Sequence, residues 1–298
     1  MNVLRKAFAT GMALCLQVLF TPGAPADAQD LDAVKARGEL RHLGVPYANF
    51  VTGGGDGMDV ELMKRFAEHL GVRYQYVKTD WDEAIGDLTG KKVKPRPGGG
   101  FEVVAEVPVR GDVIANGMTV VPWREQVIAF SVPTFPSQVW LVARSDSPLK
   151  PITPSGSIEQ DIAAVKKLLR DRSLLCKENT CLDPALYQLD ATGARIRLFP
   201  GNLNELAPAL LNGEAEVTLL DVPDALVAIE KWPGRIKVIG PVSAVQDMAV
   251  AFRRDAPGLR GAFDAFLADL KRSGAFRAIA KKYYPYVQDY YPDFFKGM

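Results

Sequence analysis

Apolar and polar positions along this 298-residue chain alternate between two periods. Positions 40–45 make a short apolar run, and 52–57 are rich in glycine. Met58, Leu62, Phe66 and Leu70 then recur at helical spacing up to Gly71. That spacing lays one apolar stripe along a helix, and glycine suits its end. Residues 72–77 alternate as a half-buried strand. A strand, helix and strand in this order predict one unit of a parallel sheet. His69 falls on the helix and reads as an ordinary surface or packed histidine.

The next segment changes character. Residues 91–100 are basic and rich in proline and glycine, which reads as an exposed loop. An extended stretch over 101–109 then follows and could pair as a hairpin. Residues 113–115 resemble a buried parallel strand, and 138–143 form a second apolar strand. After it the pattern restarts: Ile158, Ile162, Val165 and Leu169 mark a helix, 195–199 a strand, Leu203 to Leu211 a helix stopped at Gly213, and 217–220 a strand. Two phrases echo each other, since Gly111-Asp112 and Gly213-Glu214 each put a glycine and an acid just before a buried strand. Residues 247–252 give one more strand. An amphipathic helical pair follows, broken at Ser273-Gly274. The tail, with Tyr283, Tyr284, Tyr286, Tyr290, Tyr291, Phe294 and Phe295, is read as wrapping back onto the fold.

Composition narrows the classes of function. A net charge of +1 and a pI near 7.6 provide no basic field for nucleic acid or an anionic membrane. Arg5 and Lys6, the apolar run 7–20 and the small residues Ala26-Asp27-Ala28 read as a secretory signal peptide over residues 1–28. The remaining chain is long enough for two lobes or one large domain. Of the three cysteines, Cys15 lies in that leader. Cys176 and Cys181 are close enough to form a disulfide in an oxidising compartment, with two reduced thiols as the alternative. Two cysteines and the separated His42 and His69 do not make a metal site, and no cofactor motif is visible.

Residues 117–131, GMTVVPWREQVIAFS, pose the chemical question. Arg124 carries a permanent charge and a planar fork of donors inside an apolar stretch. Such a group faces a carboxylate or phosphate. It belongs either to a bound ligand or to the chain itself, with Glu125 and Asp112 as the internal candidates.

Several phrases in sequence order resemble the family 3 extracellular solute-binding proteins, the amino-acid-type receptors of ABC importers. They are Gly38-Glu39-Leu40-Arg41 with Gly44-Val45, Gly57 to Met63 with Leu70-Gly71-Val72, and, most specifically, Gly117-Met118-Thr119 through Pro122-Trp123-Arg124 and Phe130-Ser131. The stretch from Phe252 to Tyr284 also fits. The resemblance implies an α/β fold of two lobes (type II), joined by crossing strands at 138–143 and 247–252, with the ligand cleft between them. Lobe 1 would comprise 29–137 and 247–298, and lobe 2 would comprise 138–246.

The resemblance also assigns roles. Arg124 would clamp a ligand carboxylate, with Thr119 and the Gly117 backbone sharing the polar end. Asn179-Thr180 would supply a helix-start turn from lobe 2, and Asp221 would receive the ligand ammonium. Asp221 also suits a helix N-cap before Val222-Pro223. Tyr47, Phe50 and Trp81 would be aromatic walls, or simply core. The sequence departs from the family pattern in the insertion between Gly90-Lys91 and Gly111-Asp112, in the long helix 158–170 and in Glu178-Asn179 where a glycine is usual.

The leading expectation is a monomeric periplasmic receptor that binds an amino acid or similar small zwitterion and presents it to a membrane permease, without turnover. A carboxylic-acid dehydratase on the same fold, or a sensor for a separate partner, are the alternatives.

Overall fold

A computed structural model describes residues 26–96 and 99–298. The leader expected over 1–28 therefore lies almost wholly outside the described residues. The helix Ala26–Arg37 packs on the helix Pro257–Arg272, whose own N-cap position, Ala256, offers no side-chain acceptor. Asp30 caps that helix instead, its carboxylate accepting from the N–H groups of Gly258 and Leu259 at 3.2 and 2.7 Å. An acid there also meets the positive end of the helix dipole.

Two five-stranded sheets carry the architecture. In the first, strands run in the order Arg73–Lys78, Glu39–Gly44, Val113–Ile114, Ala251–Arg253, Ile128–Phe130. In the second, the order is Arg195–Leu198, Ser173–Cys176, Val217–Asp221, Val139–Arg144, Ile236–Pro241. Both have three parallel strands followed by an antiparallel fourth. The glycine-acid phrases noted in the sequence precede the third strand of each sheet, so the echo marks equivalent central strands. The fold is the expected two-lobed α/β arrangement.

Between the sheets the chain crosses twice, on Phe135–Ser137 and Gln246–Met248, which pair antiparallel as a small ladder of their own, whereas the run 138–143 expected as a crossing is the Val139–Arg144 strand of the second sheet. The run expected as one strand over 247–252 is thus two, because the chain leaves this ladder at Met248 and enters the first sheet at Ala251.

The helix Met58–Leu70 buries Met58, Leu62 and Phe66 of the expected stripe together with Met63, while Leu70 is only partly buried. It ends where Gly71 turns left-handed at φ 71° and its N–H bonds the Glu68 carbonyl. Phe66 meets Phe263 edge to face at 5.2 Å, which joins this helix to the C-terminal pair.

The segment 91–100 differs from the expected loop. Lys91–Pro95 is a strand, paired antiparallel with Phe101–Glu106 into a hairpin. Cross-strand pairing outweighs the basic, proline-containing composition, and Pro95 sits at the strand's end where a missing N–H costs least. The aromatic tail does wrap back. Tyr284 and Phe295 are buried, Tyr284 lies 4.7 Å from Phe135 between ring centroids, and its hydroxyl accepts from Asn49 N–H at 2.9 Å. Tyr286 and Tyr290 remain exposed.

Candidate functional site

The third strand of each sheet delivers its following residues to the space between the lobes. Ligands of open α/β sheets favour this end of the strands, where successive loops diverge. From the first sheet come Asn116, Gly117 and Thr119, then the short helix Pro122–Glu125 with Arg124. From the second comes Asp221, the last residue of its strand and the N-cap of the helix Val222–Lys231.

Gly117 is confined by its surroundings. Its φ is +66°, and a Cβ there would fall 2.2 Å from the Phe50 ring. Its N–H donates to Asp59 Oδ2 at 2.7 Å, while Asp59 Oδ1 is buried without a partner among the described residues. Burial pushes the Asp59 carboxyl up to about 7, against the lowering effect of the Gly117 hydrogen bond. Sequence reading did not single out Asp59, which looks like an ordinary acid in a first helical turn.

Arg124 is 3 % exposed. Among the described residues its guanidinium makes one hydrogen bond, from Nη1 to the Thr119 carbonyl at 2.9 Å, and Nε has no partner. Neither internal candidate answers it. Asp112 is bound by Arg37 and Arg41, at 2.6 and 2.8 Å, and Glu125 points to solvent. The Trp123 ring lies 5.4 Å from Arg124 Cζ, within cation–π range. Desolvation pulls the guanidinium below its ordinary value, although arginine stays charged. Thr119 Oγ1 is also buried and lacks a well-formed hydrogen bond among the described residues.

Asp221, 1 % exposed, is better served. It accepts from the Tyr47 hydroxyl of the opposite lobe, from the Cys181 thiol at 3.4 Å and from Asp224 N–H at 3.4 Å. Burial nevertheless raises its carboxyl above the usual range. Asp224 behind it is raised further, by burial and then by the Asp221 charge, and its Oδ2 has no partner among the described residues. Tyr47 closes the aromatic wall, stacked on Phe50 at 6.1 Å and edge-on to Trp81 at 5.5 Å. Tyr47 and Phe50 are fully buried, whereas Trp81 is half-buried.

Of the residues expected at the site, Tyr47 contacts Phe50, Trp81 and Asp221, Phe50 lies against Gly117, and Arg124 bonds the Thr119 carbonyl. Thr180 is spent internally: its Oγ1 donates to the Lys177 carbonyl at 2.8 Å and accepts from Leu182 N–H at 3.0 Å. No helix starts at Thr180; the next helical turn is Pro184–Tyr187. Asn179 does adopt a left-handed φ of 61°, the conformation a glycine would take most easily.

The expected Cys176–Cys181 disulfide is not formed. Both are free, buried thiols, and the Cys181 sulfur is turned to Asp221. Burial raises both thiols well above their ordinary range, so neither is a ready nucleophile. His42 is locked between Tyr74 Oη at 2.9 Å and the Ala115 carbonyl at 2.6 Å, and burial lowers it to about 4. No group of three or more metal-ligating side chains occurs among the described residues.

Residues 109–286 match the bacterial extracellular solute-binding proteins, family 3. The chain is 24 % identical over 285 residues to the L-cystine-binding protein TcyJ of Escherichia coli strain K12, covering 94 % of this chain and 95 % of that one. It is 26 % identical over 238 residues to the membrane-bound lytic murein transglycosylase F of Desulfosudis oleivorans. That match takes in 78 % of this chain, but the chain spans only 45 % of that relative's length. Among solved structures, the arginine-bound form of a truncated ArgBP from T. maritima superposes with a TM-score of 0.62 at 26 % identity, over 80 % of this chain and 99 % of that one.

Proposed function

Because this chain belongs to the bacterial extracellular solute-binding proteins, family 3, we propose that it captures an amino acid or similar small zwitterion in the periplasm and delivers it to the permease of an ABC importer. The reading treats 29–137 with 247–298 as lobe 1 and 138–246 as lobe 2. The observation that carries it is a mismatch of charge across the cleft. Among the described residues, lobe 1 presents a buried arginine with no carboxylate, and lobe 2 presents two buried carboxyl groups with no cation.

A buried charge without a partner is expensive, and a ligand that brings both missing partners removes both costs at once. The ligand carboxylate would take two parallel bonds from Arg124, completed by Thr119, and its ammonium would meet Asp221. Since each lobe holds one end, only the closed arrangement makes both contacts, which couples binding to closure. The arginine-bound ArgBP and the L-cystine-binding relative support an amino-acid ligand. Binding without turnover suits the buried, protonated Cys181 thiol.

The test is thermal unfolding of protein freed of bound ligand by denaturation and refolding, against a panel of α-amino acids that includes L-arginine and L-cystine. A ligand of the folded state adds about 2.7 kcal/mol of stability at a hundredfold excess over its Kd. Stabilisation by one amino-acid class is expected. No response to any member of the panel would overturn the reading.

A further inference from the structure

The lobes also touch away from the buried charges, at the backbone of the turn that carries Tyr47. Asn204 of lobe 2 reaches this turn and brackets the tyrosine: its Oδ1 accepts from Ala48 N–H at 2.9 Å, and its Nδ2 donates to the Pro46 carbonyl at 3.3 Å. The two bonds engage the peptide groups on either side of Tyr47, whose own hydroxyl donates to Asp221. One side-chain amide thus holds the backbone of the residue that covers the acid. An amide supplies both an acceptor and a donor, which this pair of backbone groups requires and an ionised carboxylate cannot provide.

Both parts are held rigid by their own lobes. On lobe 1 the turn is closed by Tyr47 N–H to the Val51 carbonyl at 3.0 Å and by Phe50 N–H to the Tyr47 carbonyl at 3.1 Å. The N–H groups of Met58 and Asp59 bond the Asn49 and Phe50 carbonyls at 2.8 and 3.0 Å, which fixes the turn to the start of their helix. Asn49 is tied in addition to the C-terminal tail, its N–H to the Tyr284 hydroxyl at 2.9 Å and its Nδ2 to the Tyr283 carbonyl at 2.8 Å. Ala48 lies between the two attachments at φ +44°, a left-handed conformation uncommon for a residue with a Cβ. Such a conformation persists where the surroundings impose it, here with the Ala48 N–H held by lobe 2 and the next residue held by lobe 1. On lobe 2, Asn204 sits in the short turn Leu203–Glu205, fixed by a capping box between Asn202 and Glu205 and by the buried Leu203.

We propose that Asn204 is a closure latch, a positioning residue that touches no ligand and holds the lobes together by gripping the backbone around Tyr47. The inference rests on the reading that binding is coupled to lobe closure. Opening separates Asn204 from residues 46 and 48, and both bonds break together because each side is braced by its own lobe. Each bond is exchanged for one to water, so the net effect is small, but it falls on one side of the open–closed equilibrium. An interaction made only in the closed state slows escape of what is bound and leaves its entry unaffected. Asn204 therefore sets residence time without choosing the ligand.

The experiment compares the wild type with Asn204→Ala and with Asn204→Asp, which keeps the acceptor for Ala48 N–H and loses the donor to Pro46. Association and dissociation of L-arginine and of L-cystine are followed by stopped-flow tryptophan fluorescence, and the radius of gyration without added amino acid by small-angle X-ray scattering. Asn204→Ala should release a bound amino acid about fivefold faster and Asn204→Asp about twofold faster, with association rates within about twofold of wild type. The thermal midpoint without amino acid should not move, whereas a residue that only supported its own turn would lower the midpoint without separating the two rates. An unchanged dissociation rate in Asn204→Ala, or a loss of affinity carried by slower association, overturns the latch while leaving the amino-acid reading intact. If neither amino acid binds, that reading loses its support and scattering alone decides on the latch: a larger radius in Asn204→Ala than in the wild type sustains it, and equal radii overturn it.

Discussion

Arg124 and Asp221 are buried to almost the same degree, on opposite lobes of one site, yet the chain treats them differently. Asp221 accepts from a tyrosine hydroxyl, a thiol and a backbone N–H, all supplied internally. Among the described residues Arg124 donates once, to a carbonyl, and keeps Nε unpaired. The acid also caps a helix, so its position is required for folding whether or not ligand arrives. The arginine has no comparable structural role. One end of the site is therefore part of the scaffold, and the other carries a buried charge that the described residues leave without a counter-ion.

The largest expected effect breaks the two ends apart. Arg124→Met should weaken amino-acid binding by about 2 to 5 kcal/mol, the usual cost of leaving one partner of a buried charge pair alone. The same change should leave the ligand-free protein as stable as before, or more so, because it exchanges an uncompensated buried cation for an apolar side chain of similar length. Asp221→Ala should also abolish binding, but it should lower ligand-free stability by about 1 kcal/mol or more through the lost cap. Calorimetry and urea unfolding on both variants give the comparison. If Arg124→Met destabilises the free protein as Asp221→Ala does, the two ends do not differ in this way.

A second test concerns the acid nearest the Gly117 backbone. Asp59 has a folded-state carboxyl at about 7 against an ordinary 3.8, so the native state holds a proton that the unfolded chain has released. Its contribution is complete below the lower value and fades as pH rises through the upper one. Wild-type stability should thus fall between about pH 4 and about pH 7 by more than that of Asp59→Asn, with the two curves running parallel above this window. Asp221 and Asp224 are raised in the same direction, and both are present in the variant, so the difference between the curves isolates Asp59. Curves parallel throughout would mean that Asp59 is ionised in the folded protein.

The parts of this molecule legible in sequence are those where local pattern and tertiary role agree. The stripe Met58, Leu62, Phe66 and the stop at Gly71 are such a case: one face is buried and the glycine is needed for a left-handed turn. Periodicity alone does not reveal the strands Ser173–Cys176 and Ile236–Pro241. The first follows its helix so closely that its leucines continue the helical pattern, and the second mixes lysine and glycine into a short apolar run. Lys91–Pro95 was hidden because cross-strand pairing, a non-local effect, overrides its loop-like composition. In the site, Arg124 announces itself as a charge among apolar residues. Asp59 and the orientation of Cys181 could not be read, since an acid in a first helical turn and a cysteine close behind another each have commoner explanations.

The smallest expected effect sharpens the comparison most. Tyr47→Phe removes the one donor among the described residues that reaches Asp221 across the cleft and leaves it two longer contacts at 3.4 Å. In the ligand-free protein this should cost about 1 kcal/mol, the net worth of an ordinary hydrogen bond. An incoming ammonium would then find the carboxylate less occupied, so amino-acid affinity should rise by up to about fivefold, the same free energy returned on binding. Should affinity fall instead, the Tyr47 hydroxyl would be a partner of the ligand rather than its competitor. The acid end would then be as dependent on the ligand as the arginine end is.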